Sequence, residues 1–230
     1  MDSIKDRLEK VKDRIKKAAE VCHRDPEMIR LVAVSKTVPV NKVQEAIDAG
    51  ATILGENYVQ EARDKINALR ILPVSWHFIG HLQSNKAKYA VRLFDLIHSV
   101  DSLKLARELN KQAQKNGKIQ QILVQVNISR EETKSGASVD EAIGLVTEIG
   151  HLQNLSIKGL MTMPPFFNQP EKVRPFFAAL RDLRDRIESK AAPNVSMEEL
   201  SMGMTGDFEV AIEEGATMVR VGTAIFGERT

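Results

Sequence analysis

The sequence predicts an α/β fold, a single (β/α)8 TIM-like barrel with an extra N-terminal helix. Short apolar runs alternate along the chain with stretches whose apolar residues recur at helical spacing, a pattern typical of parallel β-α-β units. Eight such runs in 230 residues fit one closed barrel, so we expect a single domain over 1–230. An open doubly wound sheet is the main alternative, but KTVPV, which follows the first run, lacks the glycine of its usual phosphate loop.

The N-terminal helix is predicted over 1–24, because apolar residues from Ile4 to Cys22 recur every three or four positions among charged ones. We expect this helix to pack on the barrel. The predicted strands are 31–35, 52–55, 76–80, 96–100, 119–128, 157–161, 199–203 and 217–222. The predicted helices that follow them lie near 40–49, 58–70, 84–92, 102–116, 139–150, 171–189 and 206–214.

The composition excludes several classes of function. Lysine and arginine number 33 against 31 acidic residues, a net charge of +2, which argues against a nucleic-acid-binding face. The single cysteine, Cys22, excludes an internal disulfide and indicates a reducing compartment. No apolar stretch is long enough to span a bilayer, and the first residues are charged. We therefore expect a cytoplasmic protein without membrane contact, and a monomer, since no apolar stripe stands out for dimerisation.

The first candidate functional residue is Lys36, directly after the strand LVAVS. In a barrel, working residues gather at the carboxyl ends of the strands. A lysine amine there can form a Schiff base with a carbonyl if burial or a nearby cation lowers its pKa from about 10.4. Position alone favours a simpler role, a strand-end lysine whose amine reaches water.

The last two predicted strands end in loops of a kind that barrels often use to bind phosphate, SMGMTGD (201–207) and RVGTAIFG (220–227). Their hydroxyls can bind an anion and their glycines let backbone N–H groups approach it closely. The residues concerned are Ser201, Gly203, Gly222 and Thr223. Turns and helix caps explain each residue separately. Combined with an amine on the first strand, they indicate a phosphorylated aldehyde, of which pyridoxal phosphate (PLP) is the common one.

Three other positions have competing interpretations. Thr205 is predicted to cap the following helix, which would direct the helix N-terminus at the same anion. Asn57 is followed by Gln60 at capping-box spacing, although it also lies at a strand end. His77 and His81 are four residues apart but straddle a strand end and lack a third ligand, so we predict no metal site.

Motifs along essentially the whole chain resemble those of the pyridoxal-phosphate homeostasis protein family. They are AVSKT (33–37), LGENYVQEA (54–62), WHFIGHLQSNK (76–86), QVNIS (125–129), KSG (134–136), GLMTMPP (159–165), LSMGM (200–204) and VRVGTAIFG (219–227). The family is similar to the barrel half of PLP enzymes of the alanine racemase type.

The resemblance implies a role for each matched residue. Lys36 would form the internal aldimine with PLP, Arg220 would face the pyridine nitrogen, and Asn57 would line the ring. The matched phosphate-binding positions are Ser201, Gly222 and Thr223. Two departures stand out: His81 replaces a proline of some relatives, and MGMTGD replaces the commoner MGMSxD, which changes the contacts expected of the 201–207 loop.

Arg220 also bears on what the protein does with PLP. A guanidinium is always protonated, so it disfavours a proton on the pyridine nitrogen and leaves the ring a poorer electron sink. Racemases of this type compensate with a base from a second domain, and the chain ends at Thr230, where we expect no such domain. The sequence therefore predicts a protein that carries or buffers PLP through a Schiff base at Lys36 and acts in PLP homeostasis without strong turnover, with PLP-dependent apoenzymes as candidate partners. A PLP-dependent amino-acid racemase and a cofactor-free class I aldolase remain the alternatives.

Overall fold

Eight parallel strands close into a barrel in the computed structural model, in the order β1 to β8 along the chain. The structure describes residues 2–131, 134–188 and 194–228. The strands are β1 (Arg30–Val34), β2 (Ile53–Glu56), β3 (Ser75–Phe78), β4 (Leu96–Val100), β5 (Gln120–Gln125), β6 (Leu155–Met161), β7 (Val195–Ser201) and β8 (Met218–Val221). The barrel predicted from the alternating pattern is confirmed.

Helices surround this barrel, and the extra N-terminal helix is present. The helices are α1 (Ile4–Val21), α2 (Val40–Asp48), α3 (Val59–Leu69), α4 (Ala87–Leu93), α5 (Leu103–Lys115), α6 (Val139–Gly150), α7 (Arg174–Glu188), α8 (Phe208–Glu213) and α9 (Thr223–Phe226). A capping box between Ser3 and Asp6 begins α1. The apolar stripe of α1 is buried against α8, α9 and α2. None of the helices in the described part of the chain is long and apolar enough to cross a membrane.

Strand alternation divides the core into two layers. A small apolar cluster fills the barrel interior, with Val32 of β1 and Met218 of β8 among its members. A much larger apolar layer lies between the strands and the helices. Because successive side chains of a strand point to opposite faces, residues two and four positions beyond Val32 and Met218 continue the interior face toward the carboxyl end. That end forms the barrel mouth.

The structure corrects several predicted boundaries. The predicted strand 119–128 stops at Gln125, because the Asn127 side chain turns the chain by donating to the carbonyls of Glu131 and Lys134. The strand predicted at 199–203 instead spans Val195–Ser201. A 3-10 turn, Pro170–Val173, precedes α7, so the helix predicted over 171–189 begins later; residue 189 lies outside the described residues.

Candidate functional site

Lys36 lies at the barrel mouth beside the loop that follows β8. It comes four residues after Val32, on the interior face, and is half-buried. β1 pairs with β8 with Ala33 opposite Val221, so the segment after β1 runs next to Gly222 and Thr223. Closure of the barrel thus brings together two segments almost 190 residues apart in sequence.

The loops after β7 and β8 meet through their hydroxyls. Thr223 Oγ1 donates to Thr205 Oγ1 at 3.2 Å. The prediction that Thr205 caps the next helix was wrong, because α8 begins at Phe208 and Asp207 occupies the cap position. Asp207 Oδ1 accepts a hydrogen bond from the Met204 N–H at 2.6 Å, which tightens the loop and leaves the Thr205 hydroxyl beside Thr223.

The two predicted phosphate-loop glycines have different reasons to be glycine. Gly203 has a φ of +88°, and a Cβ there would lie 2.6 Å from the Ala211 Cβ, so the fold itself requires glycine. At Gly222 the nearest neighbour of an added Cβ would be Val34, at an ordinary 3.4 Å. The chain's own packing therefore does not account for glycine at 222, whereas the close approach of a ligand would.

Arg220 is buried below the barrel mouth and connects three neighbouring strands. Its guanidinium donates to Ser201 Oγ at 2.6 Å and to the Thr162 carbonyl at 2.8 Å, which ties β8 to the ends of β6 and β7. The residue is only 3% exposed. Burial lowers the pKa of Arg220 to about 10, so it stays protonated at neutral pH. The Ser201 oxygen therefore serves as an acceptor for Arg220.

Two histidines extend this contact into the barrel. His98 Nδ1 lies 2.9 Å from Ser201 Oγ, and His98 Nε2 lies 3.0 Å from His77 Nδ1. Burial lowers the pKa of His77 to about 4 and that of His98 well below its usual value, so both rings are neutral. A neutral imidazole offers one donor and one acceptor, so hydrogen bonds can run in one direction from Arg220 to His77. We call Arg220, Ser201, His98 and His77 the inner network.

A second polar cluster lies on the other side of the barrel wall, between β1, β2 and α3. The Lys65 ammonium donates to the Ser35 carbonyl at 2.5 Å, to Glu56 Oε1 at 2.8 Å and to Glu61 Oε1 at 2.6 Å. Ser35 Oγ also donates to Glu56 Oε1, at 2.6 Å. Burial raises the pKa of Glu56, with the contacts to Lys65 and Ser35 opposing the shift. We call Ser35, Glu56, Glu61 and Lys65 the outer network.

The outer network also holds the residue that follows Lys36. The Thr37 N–H donates to Glu61 Oε1 at 2.6 Å. Thr37 has a φ of +63°, a conformation that is unusual for any residue with a side chain and strained for a β-branched one. The backbone therefore turns sharply where the chain leaves β1, immediately after the candidate lysine.

Asn57 lies at the end of β2 without acting as a helix cap. The capping-box alternative was wrong, because α3 has Tyr58 at its cap position and no side-chain cap bond. Asn57 Oδ1 is buried and has no hydrogen-bond partner among the residues the structure describes. The residue also lines a cavity of about 610 Å³, together with Arg63 and Lys86. A buried oxygen without a hydrogen-bond partner is unusual, and its position beside the mouth is consistent with an acceptor that binds a ligand.

The two histidines of the 77/81 pair do not converge. His77 faces the barrel interior, whereas His81 lies at the surface 3.3 Å from Ser135 Oγ. Within the described ranges no group of three or more His, Cys, Asp and Glu side chains is arranged to hold a metal ion.

Sequence reasoning missed the two buried networks. Glu61 and Lys65 show i,i+4 spacing, which on its own indicates an exposed helix pair. The available signal was a charged residue at the end of a buried strand, Glu56, directly before Asn57. For the inner network the signal was a histidine within each of two apolar strands, WHFIG and LIHSV.

The chain matches the family model described as alanine racemase, N-terminal domain, over residues 7–230. It is 47% identical to the pyridoxal phosphate homeostasis protein of Aquifex aeolicus over 224 residues, 97% of each chain. The chain belongs to the pyridoxal phosphate homeostasis protein family.

Solved structures agree with this membership. PipY of Synechococcus elongatus PCC7942, whose structure was determined with PLP bound, superposes with a TM-score of 0.84 at 36% identity, over 98% of this chain and 100% of PipY. Alanine racemase of Clostridium difficile 630 superposes with a TM-score of 0.75 at 15% identity, over all of this chain and 57% of the racemase. The second likeness shows that this family and the racemase share the barrel fold.

Proposed function

We propose that this protein binds PLP covalently through Lys36 and acts in PLP homeostasis, holding the cofactor without strong catalytic turnover. The observation that carries the proposal is the pairing of β1 with β8, because the segment that carries Lys36 and the loop with Gly222 and Thr223 leave these two neighbouring strands at the same end of the barrel. Relatives named for PLP homeostasis and a similar structure with PLP bound support it.

Three features of the mouth fit a phosphorylated pyridine aldehyde. Gly222 leaves space that a Cβ would fill, next to the paired hydroxyls of Thr205 and Thr223. Asn57 Oδ1 is a buried acceptor without a partner in the described structure. Arg220 supplies a buried positive charge. Together with a lysine amine, this set matches the functional groups of PLP better than those of a cofactor-free aldolase substrate.

Each residue then has a distinct task. Lys36 would bind the aldehyde carbon of PLP, Asn57 would line the ring, and Arg220 would face the ring nitrogen. Gly222, Thr223 and the neighbouring Thr205 would hold the phosphate. Ser201 and Gly203 orient Arg220. The Ser201 hydroxyl accepts from the Arg220 guanidinium, and the Gly203 carbonyl accepts from the Arg220 backbone N–H at 3.0 Å.

Bound PLP supplies an aldehyde that couples to amines and a ring that withdraws electrons from the coupled carbon. Arg220 limits the second property, since a permanent cation disfavours a proton on the ring nitrogen. The guanidinium of Arg220 is hydrogen-bonded to the neutral Ser201 hydroxyl and Thr162 carbonyl, and Asp207 acts on its charge without forming a salt bridge among the described residues. The arrangement therefore favours retention of the cofactor over carbanion chemistry.

Absorbance spectroscopy tests the proposal. Purified protein mixed with PLP is expected to gain a visible band that survives gel filtration, whereas Lys36→Met is expected to show none. Lys42→Met is the matched control, because Lys42 lies on α2 and pairs with Glu45 at the surface. A colourless wild-type protein, or an unchanged band in Lys36→Met, would defeat the assignment. Racemisation of any of a panel of amino acids at about 1 per second or faster would favour the enzyme.

We also propose that the protein works as a cytoplasmic monomer that passes PLP to PLP-dependent apoenzymes. A single cysteine suits a reducing compartment, and a half-buried Lys36 at an open mouth suits release as well as capture. Sedimentation of the loaded protein is expected to give one species of monomer mass, 25.7 kDa. Transfer is tested by mixing the loaded protein with a PLP-dependent apoenzyme and following recovery of its activity.

A further inference from the structure

We propose that Lys65 is a positioning residue for Lys36: its buried ammonium fixes the backbone on both sides of the reactive lysine. The inference rests on the proposed function of Lys36 and goes beyond it, because Lys65 lies outside the barrel wall and does not line the mouth.

The contacts of Lys65 converge on the turn that carries Lys36. On one side, Lys65 Nζ holds the carbonyl of Ser35 at 2.5 Å. On the other side, it holds Glu61 Oε1 at 2.6 Å, and the same oxygen accepts the Thr37 N–H at 2.6 Å. The residues directly before and after Lys36 are thus linked through one ammonium group.

Thr37 explains why such a link is needed. A positive φ at a β-branched residue persists only where neighbouring contacts enforce it. Glu61 supplies the contact at the Thr37 N–H, and Lys65 keeps Glu61 in place. Without Lys65 we expect the turn to relax and the Lys36 amine to spread over several positions.

The burial of Lys65 indicates that it serves this cluster and not the surface. The residue is 4% exposed, and all three of its hydrogen bonds go to the segment after β1 or to the two carboxylates that complete the network. Ser35 and Lys65 both donate to Glu56 Oε1, so Glu56 ties the turn to β2. An ion pair needed only for neutrality would not require contacts to the backbone beside Lys36.

Two variants separate positioning from charge balance. Lys65→Met keeps the length of the side chain and removes its three hydrogen bonds, but leaves Glu56 buried without a cation. Lys65→Met combined with Glu56→Gln removes the buried Lys65–Glu56 charge pair and keeps an acceptor for the Ser35 hydroxyl, while the remaining carboxylate, Glu61, is partly exposed to water. Lys42→Met, on the exposed pair of the neighbouring helix α2, is the control.

Two quantities are measured in the wild type, the two Lys65 variants and the control. The first is hydrogen exchange of the Thr37 amide in cofactor-free protein, measured by NMR. The second is the rate at which Lys36 is labelled by PLP and cyanoborohydride, measured by peptide mass spectrometry. In both Lys65 variants we expect faster Thr37 exchange and labelling slower by roughly tenfold to a hundredfold, the size of effect that misplacing a reactive group can have. The Lys42→Met control should match the wild type.

Either of two results would contradict a positioning role for Lys65. Thr37 exchange at the wild-type rate, or Lys36 labelling restored in the double variant together with its stability, would assign Lys65 to charge balance alone. Failure of the proposed function looks different, since the wild-type protein itself would then leave Lys36 unlabelled.

Discussion

The outer and inner networks stabilise the same site by different means. The outer network sets the Lys65 cation against Glu56 and Glu61. The inner network surrounds the Arg220 cation with a hydroxyl, a backbone carbonyl and, further on, two neutral imidazoles. The outer network lies outside the barrel wall and contacts the backbone beside Lys36. The inner network lies inside the barrel and includes Arg220.

This difference indicates that the two networks have different roles at the site. The Lys65 cation is in contact with two carboxylates that offset its charge, so the outer network fixes the backbone without adding positive potential to the mouth. The direct hydrogen-bond partners of Arg220 are neutral and offset its charge less than a carboxylate in contact would, so it can act on a basic atom placed beside it. The segment that carries Lys36 is therefore held by ionic contacts, whereas the guanidinium of Arg220 is held by neutral groups, with Asp207 acting on it only from a distance.

The largest expected effect is on stability, from breaking the ionic network. Lys65→Met should lower the free energy of unfolding by about 3–5 kcal/mol, because it leaves a buried carboxylate without its cation. Adding Glu56→Gln should recover part of this loss. Urea unfolding measures both, with Lys42→Met expected within about 0.5 kcal/mol of the wild type, as for other exposed pairs. A loss no larger than that of Lys42→Met would show that the outer network is dispensable.

The two networks are expected to respond to acid with opposite signs. The pKa of His77 is about 4 in the folded protein against an ordinary 6.5, so the unfolded chain binds protons more readily between these values. Stability should therefore fall as pH drops through this window, by about 3 kcal/mol from His77. The pKa of Glu56 is raised by burial, so its contribution is present at low pH and lost as pH rises through the folded pKa.

Variants can separate the contributions of His77 and Glu56 to the pH dependence of the free energy of unfolding. His77→Asn keeps an acceptor for His98 but cannot titrate, so its free energy of unfolding should change less between pH 7 and about pH 4 than that of the wild type. Glu56→Gln removes the opposing contribution and should make the acid loss steeper. Equal slopes in all three proteins, from urea unfolding at a series of pH values, would contradict the assignment.

A smaller effect is expected from the neutral link of the inner network. Ser201→Ala removes the shared partner of Arg220 and His98 and should cost about 1–3 kcal/mol, the penalty for leaving buried polar groups unsatisfied. Ser99→Ala is a matched control, because Ser99 Oγ is also buried and has no partner in the described part of the chain. Thermal unfolding should rank Ser201→Ala below Ser99→Ala, and the reverse order would remove Ser201 from the network.

The smallest effect on stability is expected at Gly222, which neither network includes. The nearest neighbour of an added Cβ is Val34 at an ordinary 3.4 Å, so Gly222→Ala should change the free energy of unfolding by less than about 1 kcal/mol. Retention of PLP during gel filtration should nevertheless weaken. Gly203→Ala is the contrasting variant, expected to destabilise the fold through its positive φ and its contact with Ala211. Unweakened PLP retention in Gly222→Ala would remove this glycine from the proposed phosphate site.

Local pattern was sufficient to predict the barrel, because alternating strands and helices leave few ways to bury both faces of a parallel sheet. Boundaries failed where side chains redirected the backbone, as Asn127 does after β5. The same limit explains the misassigned caps at Thr205 and Asn57, since a cap depends on where a helix begins and tertiary contacts shift that point.

Lys36 was identifiable because a charge after a buried strand is conspicuous in the sequence. Lys65 was not, because its i,i+4 spacing to Glu61 looks the same whether the helix face is solvated or lies over β1 and β2. The inner network was hidden for a related reason. Its four members lie on four different strands, and only closure of the barrel places their side chains within hydrogen-bond distance.

The site of covalent attachment distinguishes Lys36 from every other lysine of the chain. Wild-type protein is mixed with less than one equivalent of PLP, reduced with borohydride, digested and mapped by mass spectrometry. The structure predicts that the label is concentrated on Lys36, with Lys65 unlabelled because its amine is buried and fully engaged. Label spread over the surface lysines, or concentrated on a lysine other than Lys36, would contradict the account.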